Sequence, residues 1–299
     1  MLPYSSTQLD PAIDFKGIHL TTSGKLYVSG GNPSLGVIFE SNDNGLSWID
    51  KQTYFDKWIN DIWVNDQNEG LCIDQDVLIY RSVDEGSSWN QYFPEEWPLS
   101  VTRNLRDLIQ VDSSKYLICG GKNFSNGLIY FSENNGVDWD FEEFNHELRS
   151  IYFNDPTNGV AVGYGTVLHT SDGGSSWRII DTYNEYYTGV TGDFGQRYWS
   201  CGFNGGIYFS NNNGINWDRI KSSNKTFSAR DRFTCIQRHP SGKIVCCGVD
   251  GLIAISSDNG SNWSFYESFM GKTINDFVII NSKKAVAVAD DGYIFTVNI

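Results

Sequence analysis

Cations are scarce in this chain: 22 Lys and Arg stand against 36 Asp and Glu, a net charge of -14 over 299 residues. Nucleic acid and anionic membrane surfaces both demand basic patches, so neither is expected as a partner. No apolar run is long enough for a membrane-spanning helix, and no charged-then-apolar leader opens the chain. The expectation is a soluble protein, cytoplasmic or already processed, with no membrane insertion. Histidine occurs only four times, as His19, His146, His169 and His239, each in a different part of the chain. No Ser-His-Asp spacing, P-loop or dinucleotide fingerprint accompanies them. The six cysteines (Cys72, Cys119, Cys201, Cys235, Cys246 and Cys247) fall inside apolar runs without any CxxC spacing. They read as small buried hydrophobes, which fits a reducing compartment; no metal and no cofactor is expected. If the turn "RHPSGK" is symmetric, Cys235 lies directly across from Cys246, as packed thiols or a disulfide.

What the chain has in quantity is one short box, repeated. Ser/Thr-x-Asp-x-Gly-x-x-Trp occurs around Asp43 and Trp48, Asp84 and Trp89, Asp172 and Trp177, and Asp258 and Trp263. Two further copies carry Asn134 with Trp139 and Asn212 with Trp217. The tryptophans are separated by 41, 50, 38, 40 and 46 residues, the spacing of one small antiparallel sheet per repeat. A catalytic acid or metal ligand would not survive replacement by asparagine. A turn would: the Asp or Asn oxygen accepts backbone amides, Gly supplies a positive φ, and Trp covers the turn from the next strand.

Around each box, short apolar or alternating runs separated by Asn, Asp and Gly give four strands per unit. Six units are complete, and a seventh, "INDFVIINSKKAVAVADDGYIFTV", has only three strands. The N-terminal stretch is free to supply the missing one, a known way to close a radial array. The sequence therefore predicts an all-β fold, a seven-bladed β-propeller of four-stranded antiparallel blades. Residues 1–14 provide the closing strand and entry, and the blades span approximately 15–52, 58–94, 104–144, 147–181, 186–221, 232–267 and 273–299, in one domain.

The boxes resemble the Asp-box, or bacterial neuraminidase repeat, of sialidases, the sortilin luminal domain and several glycoside hydrolases. The texture of "LRSIYFNDPTNGVAVGYGTVLHTSDGGSSWRII" (Leu148 to Ile180) is most similar to the photosystem II stability/assembly factor family, and the resemblance runs through the whole chain. It implies a seven-bladed propeller acting as a non-enzymatic binding or assembly platform, often exported, with a basic patch. A sialidase would carry Arg-Ile-Pro in its first blade. That tripeptide is absent, and the first arginine is Arg81, in the second unit.

Superposing the units places Lys16, Asn60, Arg106, Arg149, Thr188, Thr234 and Asn275 at one equivalent position, ringing the mouth of a central channel on the side away from the boxes. Asp61, Asp107 and Asp276 follow three of them. Such a ring can be a solvated channel lining. Its cationic sector, Lys16, Arg106 and Arg149, can also hold a carboxylate. Loops on that face add Tyr54, Phe55, Trp58, Trp97, Tyr183, Tyr186 and Tyr187, and the basic residues Lys221, Lys225, Arg230 and Arg232. Partner surfaces favour Tyr, Trp and Arg, so a protein or peptide interface is the leading expectation. Two alternatives stay open. One is a glycan-binding or glycoside hydrolase-like propeller using loop acids among Glu95, Glu96, Glu185, Asp231 and Glu267. The other is a structural component of a larger particle.

Overall fold

The computed structural model describes residues 2–92, 104–180, 184–220, 231–267 and 269–299. Seven four-stranded antiparallel sheets follow one another in chain order. Their innermost strands are Asp14–Leu20, Ile59–Val64, Asn104–Gln110, Leu148–Phe153, Tyr187–Gly192, Phe233–Arg238 and Ile274–Asn281, in blades 1 to 7. Each blade then runs outward by hairpins to its fourth strand. In blade 7 the outermost strand is Tyr4–Gln8, which pairs antiparallel with Tyr293–Asn298 from Tyr4 opposite Val297 to Gln8 opposite Tyr293. The N-terminal strand thus closes the ring.

Second strands are apolar on both sides because each blade is covered by two neighbours. "GVAVG", Gly159–Gly163, is buried at all five positions, which a strand with one solvated face would not allow. The cores lie between sheets. Leu71, Ile73 and Ile79 of blade 2 pack on Leu105, Leu108, Tyr116 and Ile118 of blade 3, each such side chain contributing about 1.5–3 kcal/mol.

The boxes close the hairpins between third and fourth strands. In blade 1, Ser41 Oγ donates to Asp43 Oδ1 at 2.8 Å and accepts the Gly45 amide at 2.9 Å, while Asp43 accepts the Ser47 amide at 2.9 Å and hydroxyl at 2.6 Å. Exposed and surrounded by these donors, Asp43 and Asp172 have carboxyls held down at about 2. In blade 3 the acid has changed place: Asn134 Oδ1 accepts the Asp138 amide at 2.8 Å, and Asn134 Nδ2 donates to Asp138 Oδ2 at 2.8 Å. The turn keeps its bonds with the donor reversed. Two successive positive-φ residues, Asn44 at 59° and Gly45 at 82°, give the hairpin its tight twist. The indole Nε1 of Trp89, Trp139, Trp217 and Trp263 donates to the box glycine's carbonyl, at 2.8–3.2 Å; in Trp48 and Trp177 it is buried without a partner among the described residues.

The turn between the first two strands of blade 6 is centred on Ser241, so Cys235 stands opposite Cys247, and Cys246 opposite Ile236. The symmetric turn expected from the sequence is one residue off, because the loop holds His239 to Lys243 rather than an even number of residues. All six cysteines are free thiols.

Candidate functional site

Every innermost strand carries a β-bulge at the same place. The register skips from Phe15 to Gly17, Ile59 to Asp61, Leu105 to Asp107, Leu148 to Ser150, Tyr187 to Gly189, Phe233 to Cys235 and Ile274 to Asp276. The seven skipped residues are Lys16, Asn60, Arg106, Arg149, Thr188, Thr234 and Asn275, the ring that superposing the sequence repeats picks out. A bulge leaves its extra residue outside the ladder and re-aims its side chain. Here all seven line one central channel of about 760 Å³.

Four of the seven spend that freedom on the fold. Asn60 Nδ2 donates to Leu105 O at 2.6 Å, Thr188 Oγ1 to Phe233 O at 3.0 Å, Thr234 Oγ1 to Ile274 O at 2.5 Å and Asn275 Nδ2 to Phe15 O at 2.8 Å. Each bond ties one blade to the next. The residue after the bulge often returns the bond: Asp61 accepts the Leu108 amide at 2.9 Å, Asp107 that of Ile151 at 2.8 Å and Asp276 that of Ile18 at 3.1 Å. Burial pushes all three carboxyls up, Asp276 to about 7, and repulsion between Asp61 and Asp107 raises Asp61 further.

Lys16, Arg106 and Arg149 are left over. Lys16 is neutralised by Asp14 at 3.1 Å and Asp290 at 3.5 Å, and lies 5.4 Å from the Trp58 ring. The two arginines share a single carboxylate: Glu147 Oε1 is 3.4 Å from Arg106 Nη2 and 3.1 Å from Arg149 Nη1. Glu147 is buried, and its other oxygen accepts the Phe124 amide at 3.0 Å. Burial and the neighbouring Arg149 lower Arg106 to about 10, yet it stays charged at neutral pH. Among the described residues, this corner therefore carries two cations against one anion.

Beside it lies an aromatic shelf. Tyr186 sits 5.4 Å under the Arg149 guanidinium and 5.5 Å from Tyr164; Phe124 is 4.8 Å from Tyr164, and Phe203 6.0 Å from Tyr186. Arg232 lies 5.4 Å from the Phe203 ring. Phe124 and Tyr164 are 53% and 42% exposed, so the shelf faces solvent. Phe124 also holds a φ of 65° in its turn, a conformation that bulky side chains rarely adopt. Sequence reasoning missed Phe124, Tyr164 and Glu147; the one readable signal was a Phe in an Asn-rich turn.

Other expectations divide. Tyr54 is exposed, while Phe55 and Tyr187 are not loop-face aromatics but are buried in blade cores, Phe55 against Tyr80 at 4.7 Å and Tyr187 against Tyr208 at 5.1 Å. Glu185 is likewise a buried strut, accepting the Tyr208 hydroxyl and the Tyr186 amide at 2.9 Å each, and Asp231 is also buried. Glu267 is exposed. Trp97, Tyr183, Glu95, Glu96, Lys221, Lys225 and Arg230 lie outside the described residues. Among the described residues no group of His, Cys, Asp and Glu is arranged to hold a metal, and no helix is long and apolar enough to cross a membrane.

The architecture and this mouth define an Asp-box propeller with a cationic and aromatic loop face. The family model for the photosynthesis system II assembly factor YCF48 matches residues 139–298, over half of the sequence, and the chain belongs to that family. Among solved structures, YCF48 bound to a D1 peptide superposes with a TM-score of 0.76 at 16% identity, covering 100% of this chain and 98% of that one. YCF48 from Cyanidioschyzon merolae gives 0.74 at 16% identity, covering 99% and 98%. A catalytically inactive virginiamycin B lyase from Staphylococcus aureus with quinupristin gives 0.74 at 10% identity, covering 99% and 100%. At these identities the likeness is one of fold. No curated protein matches by sequence.

Proposed function

We propose that this protein is a non-enzymatic platform that captures a peptide segment of a partner protein, with an acidic side chain or carboxyl terminus of that segment held by Arg106 and Arg149. The observation that carries the reading is the shared carboxylate. Two guanidiniums with one buried Glu147 between them keep one positive charge uncompensated among the described residues at a channel mouth, beside Phe124, Tyr164 and Tyr186. A planar guanidinium offers paired donors to a carboxylate, and the aromatic shelf supplies the apolar contact that makes such an anchor selective. Membership of an assembly-factor family supports the same reading, as does the relative whose solved structure is titled as bound to a D1 peptide. The six free thiols fit a reducing compartment.

The test is capture of the partner from the native source by immobilised wild-type chain and by an Arg106→Gln/Arg149→Gln variant whose melting curve has been checked. Each charge-assisted bond contributes about 1.5–3 kcal/mol, so the double variant loses at least a hundredfold in affinity. Undiminished capture by a folded double variant rules the assignment out.

A further inference from the structure

The channel has a second mouth, on the side of the boxes, with its own cationic and aromatic cluster. We propose that this mouth is a separate binding site for a peptide segment in which an acidic side chain neighbours an apolar one. Tyr152 lies three residues beyond Arg149 on the same inner strand, about 10 Å further along the channel. It shares the channel wall with Phe194 and Arg238.

Phe194 is the odd feature. It sits in the turn between the first two strands of blade 5 with a φ of 60° and 70% of its surface exposed. The turn is pinned to blade 4, where Asn154 Oδ1 accepts the Phe194 amide at 3.0 Å and Asn154 Nδ2 donates to Arg197 O at 3.1 Å. Left-handed backbone suits Gly or Asn; a bulky residue there costs about 1–2 kcal/mol. The ring recovers little from the fold, its aromatic neighbour being Tyr152 at 6.3 Å. Folding has no use for a phenylalanine at this position, whereas a ligand with an apolar side chain does.

Charge selects the rest of the ligand. Arg238 lies 5.3 Å from the Trp199 ring, and the one hydrogen bond its guanidinium makes to a described residue is a long 3.4 Å contact from Nη2 to Asn259 Oδ1. No described carboxylate comes within ion-pair distance of it, and its Nε is buried without a partner among the described residues. Arg197, 5.5 Å from the same indole, uses Asp193 at 2.5 Å. Among the described residues, two guanidiniums flank this indole and one carboxylate, Asp193, pairs with Arg197 alone. The uncompensated charge complements an acidic group, and Phe194 with Tyr152 complements the apolar side chain next to it.

The experiment removes the first mouth from consideration by working in an Arg106→Gln/Arg149→Gln/Glu147→Gln background, where that corner is neutral. Fluorescence anisotropy would follow fluorescein-labelled Gly-Glu-Phe-Glu-Gly and its glutamine counterpart Gly-Gln-Phe-Gln-Gly at low salt. The acidic probe binds at least tenfold more tightly than the neutral one. Adding Phe194→Asn weakens it at least fivefold while the melting temperature holds or rises, since Asn relieves the backbone. Adding Arg238→Gln abolishes the preference for the acidic probe. Equal affinity for the two probes, no binding in the neutral background, or binding indifferent to Phe194→Asn overturns the proposal. None of these outcomes touches capture through Arg106 and Arg149 in the otherwise unaltered chain, so the two sites stand or fall separately.

Discussion

Asp276→Asn, read as stability against pH, tests whether the channel carboxylates are carried at a cost. Asp276 accepts the Phe277 amide at 2.8 Å and the Ile18 amide at 3.1 Å, and burial still raises its carboxyl from 3.8 to about 7. A carboxyl raised on folding binds its proton more tightly in the folded chain than in the unfolded one. Its ionisation therefore drains stability as pH climbs from about 4 to about 7, and acidification across that window restores it. The rise from 3.8 to about 7 corresponds to about 4 kcal/mol at its limit, and a discount by half for solvent screening leaves about 2 kcal/mol. At this chain length that is a rise of roughly 4 °C in Tm between pH 7.5 and pH 4. Asp61 and Asp107, also raised, act in the same direction. The box carboxylates act oppositely: Asp43 and Asp172 are held at about 2, so their contribution is lost only as pH falls from about 4 towards 2. Asparagine at 276 is fixed neutral but keeps one acceptor oxygen of two, a loss of about 1 kcal/mol. The variant should melt about 2 °C below wild type at pH 4 and level with it or above at pH 7.5, measured by circular dichroism. A variant with the full wild-type span between those two pH values would refute the reasoning.

Three further outcomes follow from the geometry. Asp172→Asn should move Tm by less than about 2 °C, because Asn134 and Asn212 already serve in two boxes, whereas Asp172→Ala, which loses the Thr170 and Ser176 bonds, should cost about 1–2 kcal/mol in denaturant unfolding. Glu147→Gln removes the one anion between Arg106 and Arg149 and should tighten partner capture several-fold in a pull-down titration at low salt, with the gain vanishing at high salt. Deleting residues 1–11 strips Leu2 and the Tyr4 ring, 4.6 Å from Phe269 and 5.5 Å from Phe295, and bares the strand Tyr293–Asn298; the melting transition should drop and broaden, and light scattering should show association.

The blade count was legible because the box is a local device: Asp, Gly and Trp within eight residues fix one hairpin, and counting hairpins counts blades. The ring positions were legible for the same reason of period, since a bulge that recurs in every inner strand keeps one place in every repeat. What those seven residues do was not. Asn60, Thr188, Thr234 and Asn275 donate to carbonyls 40 to 45 residues ahead, or to Phe15 at the other end of the chain, and no pattern within a single repeat encodes such a bond. Glu147 likewise stands two residues before Arg149 but belongs as much to Arg106, 41 residues earlier. Phe55 and Tyr187 read as loop aromatics because they flank the inner strands; the neighbouring blade supplies the cores that hold them.

Closure by the N-terminal strand also sets the order of events during synthesis. Tyr4–Gln8 is made before any other strand of the sheet array, yet its partner Tyr293–Asn298 comes about 285 residues later. At ~5–20 residues per second the interval is on the order of 15–60 s. Through all of it a short β-strand trails in water with its hydrogen-bonding edge open, while the blades behind it are already able to pair. A nascent chain of this kind is exposed to domain exchange with its neighbours on the same message, and chaperone demand should concentrate at its beginning rather than its end.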